Sequence, residues 1–313
     1  MSEFFQSPAP LREQGSAPQY ATKEKERALE IGIGLPTTVP DNVGPEVPRW
    51  ARRAEECGFT SLGVLDRLVY DNFEPLVSLA AAAAVTERIR LVTTILIAGY
   101  RGDTALLAKQ AATIDAISGG RLVLGVAAGG REDDFAATGT GYRDRGARLD
   151  ALLAELREIW AGRGRVPGIG PAPLRPDGVP LLVGGHSPRA MRRSARFGTG
   201  WIAGGNSVTA YAELVHQTRQ TWIDEGRTDR PRMVAILYAH LGQDAARVAG
   251  GYLREYYSFV GPKAERTASG VLVEPQQIRD AVQAYGEAGC DELILLPCTA
   301  DLKQVGLLAD AAL

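Results

Sequence analysis

Cysteine, histidine and long apolar runs are all scarce in this sequence. Only three of its 313 residues are cysteine, Cys57, Cys290 and Cys298, and their spacing forms neither a CxxC pair nor a metal knuckle. Unpaired thiols suit a reducing compartment, so a cytoplasmic protein is expected. The three histidines, His186, His216 and His240, do not fall at a metal-binding spacing such as HxxxH, so no protein-built metal site is expected. The apolar stretch from Leu91 to Ala98 has strand length, far short of the roughly 20 residues that span a membrane. There is no basic surplus either: 35 Lys plus Arg stand against 37 Asp plus Glu, which argues against nucleic acid as the main partner. A nucleophile elbow GxSxG is missing, and the turn after the first strand reads Leu35-Pro36-Thr37-Thr38-Val39-Pro40, with no GxGxxG fingerprint for a dinucleotide.

What is present is a repeated rhythm of apolar strand, loop and amphipathic helix. Residues 1–28 are polar, lack the apolar core of a secretory signal and read as a flexible arm. From residue 29 the strands are expected at Ile31–Leu35, Ser61–Leu65, Arg90–Ile97, Leu122–Ala127, Pro180–Val183, Gly200–Ala203, Met233–Leu241 and Glu292–Leu296. Helices fall between them; the one over Arg145–Ala161 carries Leu149, Leu152, Leu153, Leu156 and Ile159 at i, i+3, i+4 spacing. A Gly/Pro-rich stretch, Gly162–Gly178, reads as a long loop that could shape a substrate mouth, and Gly261–Leu272 reads as irregular. Eight strands alternating with helices imply a parallel sheet buried on both faces, closed as an α/β, (β/α)8 TIM barrel in one domain over 29–313.

In such a barrel the active site lies at the C-terminal ends of the strands. The fifth end, Val183-Gly184-Gly185-His186-Ser187-Pro188, passes from strand to helix with Ser187 as N-cap and Pro188 at the first helical position. The free N–H groups there make either a phosphate site or an ordinary capped turn. The fourth end, Ala127-Ala128-Gly129-Gly130, is glycine-rich, for ligand approach or for packing. Asp66-Arg67 ends the second strand and reads as a structural ion pair or as a contact to cofactor or substrate. Arg145, opening the next long helix, is a candidate cation to balance a phosphate. Glu132-Asp133-Asp134 reads as a solvated loop. With no evident nucleophile, a rim phosphate site points to borrowed reactivity from a phosphorylated cofactor.

The residues Arg90–Ile97, Leu106–Asp115, Ser118-Gly-Gly-Arg121, Leu124–Gly130, Val183–Pro188 and Ala195–Trp201, in this order and spacing, resemble the bacterial luciferase-like monooxygenase superfamily. The resemblance implies an oxidoreductase with a flavin or deazaflavin bound at the strand ends. It implies a phosphate contact from Ser187 and a non-proline cis peptide at Thr94–Ile95. Arg67 stands where many members carry a histidine, and Gly102-Asp103-Thr104 where some carry a proline, so the usual catalytic histidine is absent. The expected activity is a monooxygenase using reduced FMN, supplied by a separate reductase, and oxygen on a small organic substrate. The alternatives are F420-dependent hydride transfer and a non-catalytic flavin-binding barrel. Asp66 and Arg67 are the expected catalytic pair, with Asp66 orienting Arg67. Thr94, Ile95, Gly129, Gly130, Arg145, Gly184, Gly185, His186 and Ser187 are the expected cofactor contacts. A homodimer is compatible with this reading.

Overall fold

The computed structural model describes residues 28–313 apart from Asp41 and Asn206, so the expected arm at 1–28 lies almost wholly outside the described residues. Nine strands are described: β1 (Glu30–Gly34), β2 (Ser61–Val64), β3 (Arg90–Thr93), β4 (Leu96–Ile97), β5 (Leu122–Ala127), β6 (Leu181–Gly184), β7 (Gly200–Gly204), β8 (Arg232–Ala239) and β9 (Glu292–Pro297). All pair in parallel, in the order β3-β2-β1-β9-β8-β7-β6-β5-β4, and β3 also pairs with β5. β3 and β4 are therefore two halves of one stave, and the sheet closes as the expected eight-stave barrel.

The helices are α1 (Glu46–Glu56), α2 (Pro75–Ala83), α3 (Thr104–Ser118), α4 (Glu132–Ala137), α5 (Arg145–Trp160), α6 (Pro188–Phe197), α7 (Val208–Asp224), α8 (Ala245–Tyr256), α9 (Lys263–Ser269), α10 (Pro275–Glu287) and α11 (Lys303–Ala312). Local chemistry sets their ends. Asp103 caps α3 by accepting from Leu106 N at 2.9 Å, and Gly119 closes it with φ +69°. Glu274 and Gln277 form a capping box on α10.

Period-two alternation sorts the strand residues into two cores. Val92, Leu182, Ile202, Val234, Ile236, Ile294 and Leu296 form one cluster, the filling of the barrel. Their neighbours Leu91, Leu181, Trp201, Met233, Ala235, Leu293 and Leu295 join the outer cluster with the helices. The N-terminal end of the barrel is closed by charge. Arg90 and Arg232 both pair with Glu30 and with Glu292, and Glu292 is buried. Burial opposes ionisation of Glu30, but Arg232 and Arg90 outweigh it and hold its carboxyl below its ordinary value.

Three expectations change here. Glu132-Asp133-Asp134 is not a solvated loop but the first turn of α4, and buried Asp134 accepts from Leu68 N and Val69 N at 3.1 and 2.8 Å. The 162–178 loop follows a helix and leads into the start of β6, so it lies at the N-terminal face, away from any mouth. It is tied there by Leu174 N to Asp115 Oδ2 at 2.9 Å, on the last turn of α3. The insertion that does reach the mouth follows α8. It contains α9 and returns beside β8, where His240 N donates to Leu272 O and Leu272 N to Tyr238 O.

Candidate active site at the C-terminal strand ends

The third stave breaks and bulges at Thr94-Ile95, between β3 and β4. The expected cis peptide is absent: among the described residues only Gly170–Pro171 is cis. A cis bond between non-proline residues costs about 3–4 kcal/mol. Here the chain makes the break with trans bonds and anchors on either side. Thr94 N donates to Val64 O at 2.7 Å, and Ile97 N donates to Asp66 Oδ2 at 2.8 Å.

Three glycines on or just past β5 and β6 are sockets for this break. A Cβ on Gly125 would lie 2.1 Å from Thr93 O, one on Gly129 would lie 2.5 Å from Ile97 Cγ2, and one on Gly184 would lie 2.1 Å from Ile95 Cδ1. The glycines at 129 and 184 therefore make room for the side chains of the broken stave. Gly130 differs: it is exposed and has open space around it. The bulge turns Ile95 onto the top of the barrel filling, where it is joined by Leu65 and Tyr238, all partly buried. These three side chains make an apolar floor.

Asp66 anchors the far side of the break. It is 4% exposed and accepts from Ile97 N, from the Tyr100 hydroxyl at 2.7 Å and from Arg101 Nη2 at 3.2 Å. Arg101 also pairs with Glu74 at 2.8 Å. Burial pushes the Asp66 carboxyl above its ordinary value, against the pull of Arg101, the Tyr100 hydroxyl and the Ile97 N–H. Asp66 does not orient Arg67, contrary to the sequence expectation. Past the end of β2 the two side chains part, Asp66 to Ile97, Tyr100 and Arg101 and Arg67 to Tyr256.

Arg67 instead enters an aromatic nest. Its side chain is 8% exposed, its guanidinium lies 4.5, 5.5 and 5.6 Å from the rings of Tyr70, Tyr256 and Phe259, and Nη1 donates to Tyr256 O at 3.0 Å. Arg131, at the end of β5, joins it 5.1 Å from Tyr256 and 4.4 Å from Phe259. Tyr238 and Tyr257 share a hydroxyl contact of 3.0 Å, and Thr38 meets Tyr252 at 2.7 Å. Burial pushes the Tyr238, Tyr252 and Tyr257 hydroxyls up, so they stay protonated as hydrogen-bond donors. The sequence reading missed this wall. Its one local signal is the aromatic density of residues 252–259.

The turn at the end of β6 forms as a capped strand-to-helix turn. Ser187 caps α6 by accepting from Ala190 N at 3.2 Å, with Pro188 in the first turn. Gly185 has φ +123°, a conformation that side chains disfavour, and a Cβ there would lie 2.9 Å from Ala190 Cβ. His186 and Ser187 are exposed, so the serine hydroxyl can donate to an anion while it accepts from the helix. Arg145 Nε donates to Gly129 O at 2.9 Å and Nη1 to Tyr142 O at 3.1 Å, and its guanidinium lies 3.9 Å from the Tyr142 ring. One of these donors braces the fourth strand end, and the other holds the loop before α5. Between the loops after β1 and β2 a cleft of about 230 Å³ opens, lined by Thr37, Val39, Asn42, Tyr70, Asn72 and Phe73 among others. Thr37 Oγ1, Asn42 Oδ1 and Asn72 Oδ1 are buried there without a hydrogen-bond partner among the described residues. Among those residues there is also no cluster of side chains suited to hold a metal.

A Mycobacterium tuberculosis protein of uncharacterized function is 30% identical over 210 residues, which are 57% of this chain and 72% of that protein. An F420-dependent glucose-6-phosphate dehydrogenase of Amycolatopsis mediterranei is 28% identical over 192 residues, 55% of this chain and 58% of the relative. Among solved structures, the monooxygenase RslO1 from Streptomyces bottropensis superposes with a TM-score of 0.72 at 22% identity, over 90% of this chain and 98% of its own. The model of the luciferase-like monooxygenase family matches residues 29–289, and the chain belongs to that family.

Proposed function

We propose that this chain is an oxidoreductase that holds a phosphorylated flavin or deazaflavin at the strand ends, with its phosphate on the N-terminus of α6. One arrangement carries the reading: an exposed Ser187 hydroxyl at a helix start, at the end of the same stave that sockets Ile95 of the apolar floor. The helix start supplies N–H donors and partial positive charge to a phosphate. Leu65, Ile95 and Tyr238 offer one side of a flat ring an apolar surface. Bound there, such a group supplies the redox chemistry, as hydride transfer or as oxygen activation.

The protein's own part is to position and to exclude. Arg67 and Arg131, stacked among Tyr70, Tyr256 and Phe259, make a wall that keeps water from the floor. Asp66, 4% exposed and accepting three hydrogen bonds, holds the strand break in this reading. The 230 Å³ cleft, lined by Thr37, Tyr70, Asn72 and Phe73 among others, has room for a small substrate.

F420-dependent hydride transfer is the reading we place first. The Amycolatopsis mediterranei relative, above a quarter identical, bears that activity in its name. A monooxygenase using reduced FMN from a separate reductase is the second reading, favoured by the family to which the chain belongs. Titration and stopped-flow mixing separate them. Tight F420 binding without FMN affinity supports hydride transfer. FMN binding, with a transient near-ultraviolet absorbance when the FMNH2-loaded protein meets oxygen, supports the monooxygenase. Affinity for neither cofactor contradicts both.

A further inference from the structure

On the flank of the barrel, beside the phosphate turn, α5 and α6 border a groove of about 470 Å³. Its lining holds Arg189, Arg192, Arg193 and Arg196 against two carboxylates, Asp150 and Glu225. Arg193 is already committed. Its side chain is 8% exposed, Nε and Nη2 donate to Asp150 at 2.6 and 3.1 Å, and Nη2 also donates to Gly146 O at 3.0 Å. The pair neutralises Asp150. It leaves three exposed arginines, none in an ion pair among the described residues, facing Glu225 alone.

Positions 189, 192 and 196 follow i, i+3, i+7 spacing, so the three guanidiniums share one face of α6. At 1.5 Å per residue they cover about 10 Å of helix axis. Like charges at this spacing repel, so the bare row costs stability that a bound anion would recover. The row begins at the second residue of α6, where the helix N-terminus adds partial positive charge, two positions from Ser187.

We propose that this groove binds a linear oligoanion, with three or more negative charges spread over about 10 Å of chain. Arginine's planar fork suits phosphate and carboxylate alike. The shared chemistry has two sources: a free oligophosphate, or an acidic extension of a cofactor whose phosphate sits at Ser187.

The test is calorimetric titration of the full chain with tripolyphosphate at low salt. The groove variant R189Q/R192Q/R196Q is compared with a variant of three exposed arginines elsewhere, R52Q/R163Q/R279Q. Binding should weaken at least tenfold in the groove variant, stay within twofold of wild type in the other, and fall steeply with salt. If the triple variant unfolds, R192Q alone should still weaken binding severalfold. No binding by wild type, or equal weakening in both triple variants, overturns the proposal. Competition then identifies the source. Displacement of tripolyphosphate by F420 bearing its oligoglutamate tail, but not by FMN, assigns the groove to the cofactor's extension; displacement by neither assigns it to a free oligoanion. Tripolyphosphate binding by a protein with no affinity for FMN or F420 would refute the proposed function and leave the groove standing.

Discussion

Replacing Asp66 by asparagine perturbs the anchor of the strand break with little change of shape. The carboxylate accepts three hydrogen bonds, from Ile97 N, the Tyr100 hydroxyl and Arg101 Nη2. Asparagine retains one accepting oxygen and turns an amide NH2 toward at least one of those donors. A hydrogen bond to a charged group contributes about 1.5–3 kcal/mol, and a buried donor left unmet costs about 1–3 kcal/mol. Two features reduce the loss. Arg101 keeps Glu74 at 2.8 Å, and burial already disfavours the ionised carboxyl of the native state. The expected destabilisation of Asp66→Asn is therefore about 1–3 kcal/mol, read from urea midpoints at pH 7. Amide exchange adds a local readout: the Ile97 N–H should be protected in the native chain and should exchange much faster in the variant. Stability within about 0.5 kcal/mol of wild type, with Ile97 still protected, would refute the anchoring role; that is the range of an ordinary surface substitution.

Gly184→Ala should destabilise by about 1–3 kcal/mol, since its Cβ would lie 2.1 Å from Ile95 Cδ1; trimming the partner in Gly184→Ala/Ile95→Val should recover part of that loss in the same urea assay. Arg67→Ala should cost about 1–2 kcal/mol through lost ring contacts and loosen the wall, with Arg67→Lys restoring only a fraction; an unchanged melting temperature would count against the wall. Because Glu30 ionises more readily in the folded chain, its contribution is complete above the ordinary value of 4.5 and disappears as pH falls below it. The stability gap between wild type and Glu30→Gln should therefore be widest near neutrality and close on acidification below about pH 4.5.

The staves of the barrel were readable because a buried parallel strand is a short apolar run, and Val92, Ile202, Val234 and Ile294 alternate with outward neighbours as such a strand requires. The Ser187 cap was readable because serine, proline and paired glycines are local signals. The short helices α4 and α9 were not, since six or seven residues give too little periodicity to mark a helix face. Partnerships across the barrel mouth were also hidden. Asp66 meets Arg101 from 35 positions away, and Arg67 meets Tyr256 from 189, so only the packing of separate staves and loops brings them together. The glycines at 129 and 184 were legible as places of close approach. What approaches them is the chain itself, at Ile97 and Ile95.

The central claim is that the turn at Ser187 holds the phosphate of a flavin-type cofactor. Its most direct test is titration of F420 and of FMN into the wild-type chain and Ser187→Ala, with melting temperature followed alongside. Loss of the cap alone should lower stability by about 0.5–2 kcal/mol. Loss of the phosphate contact should, in addition, weaken the cofactor that wild type binds by about 1–2 kcal/mol, roughly 5- to 30-fold in Kd. A variant that is less stable yet binds the cofactor as tightly as wild type would contradict the claim.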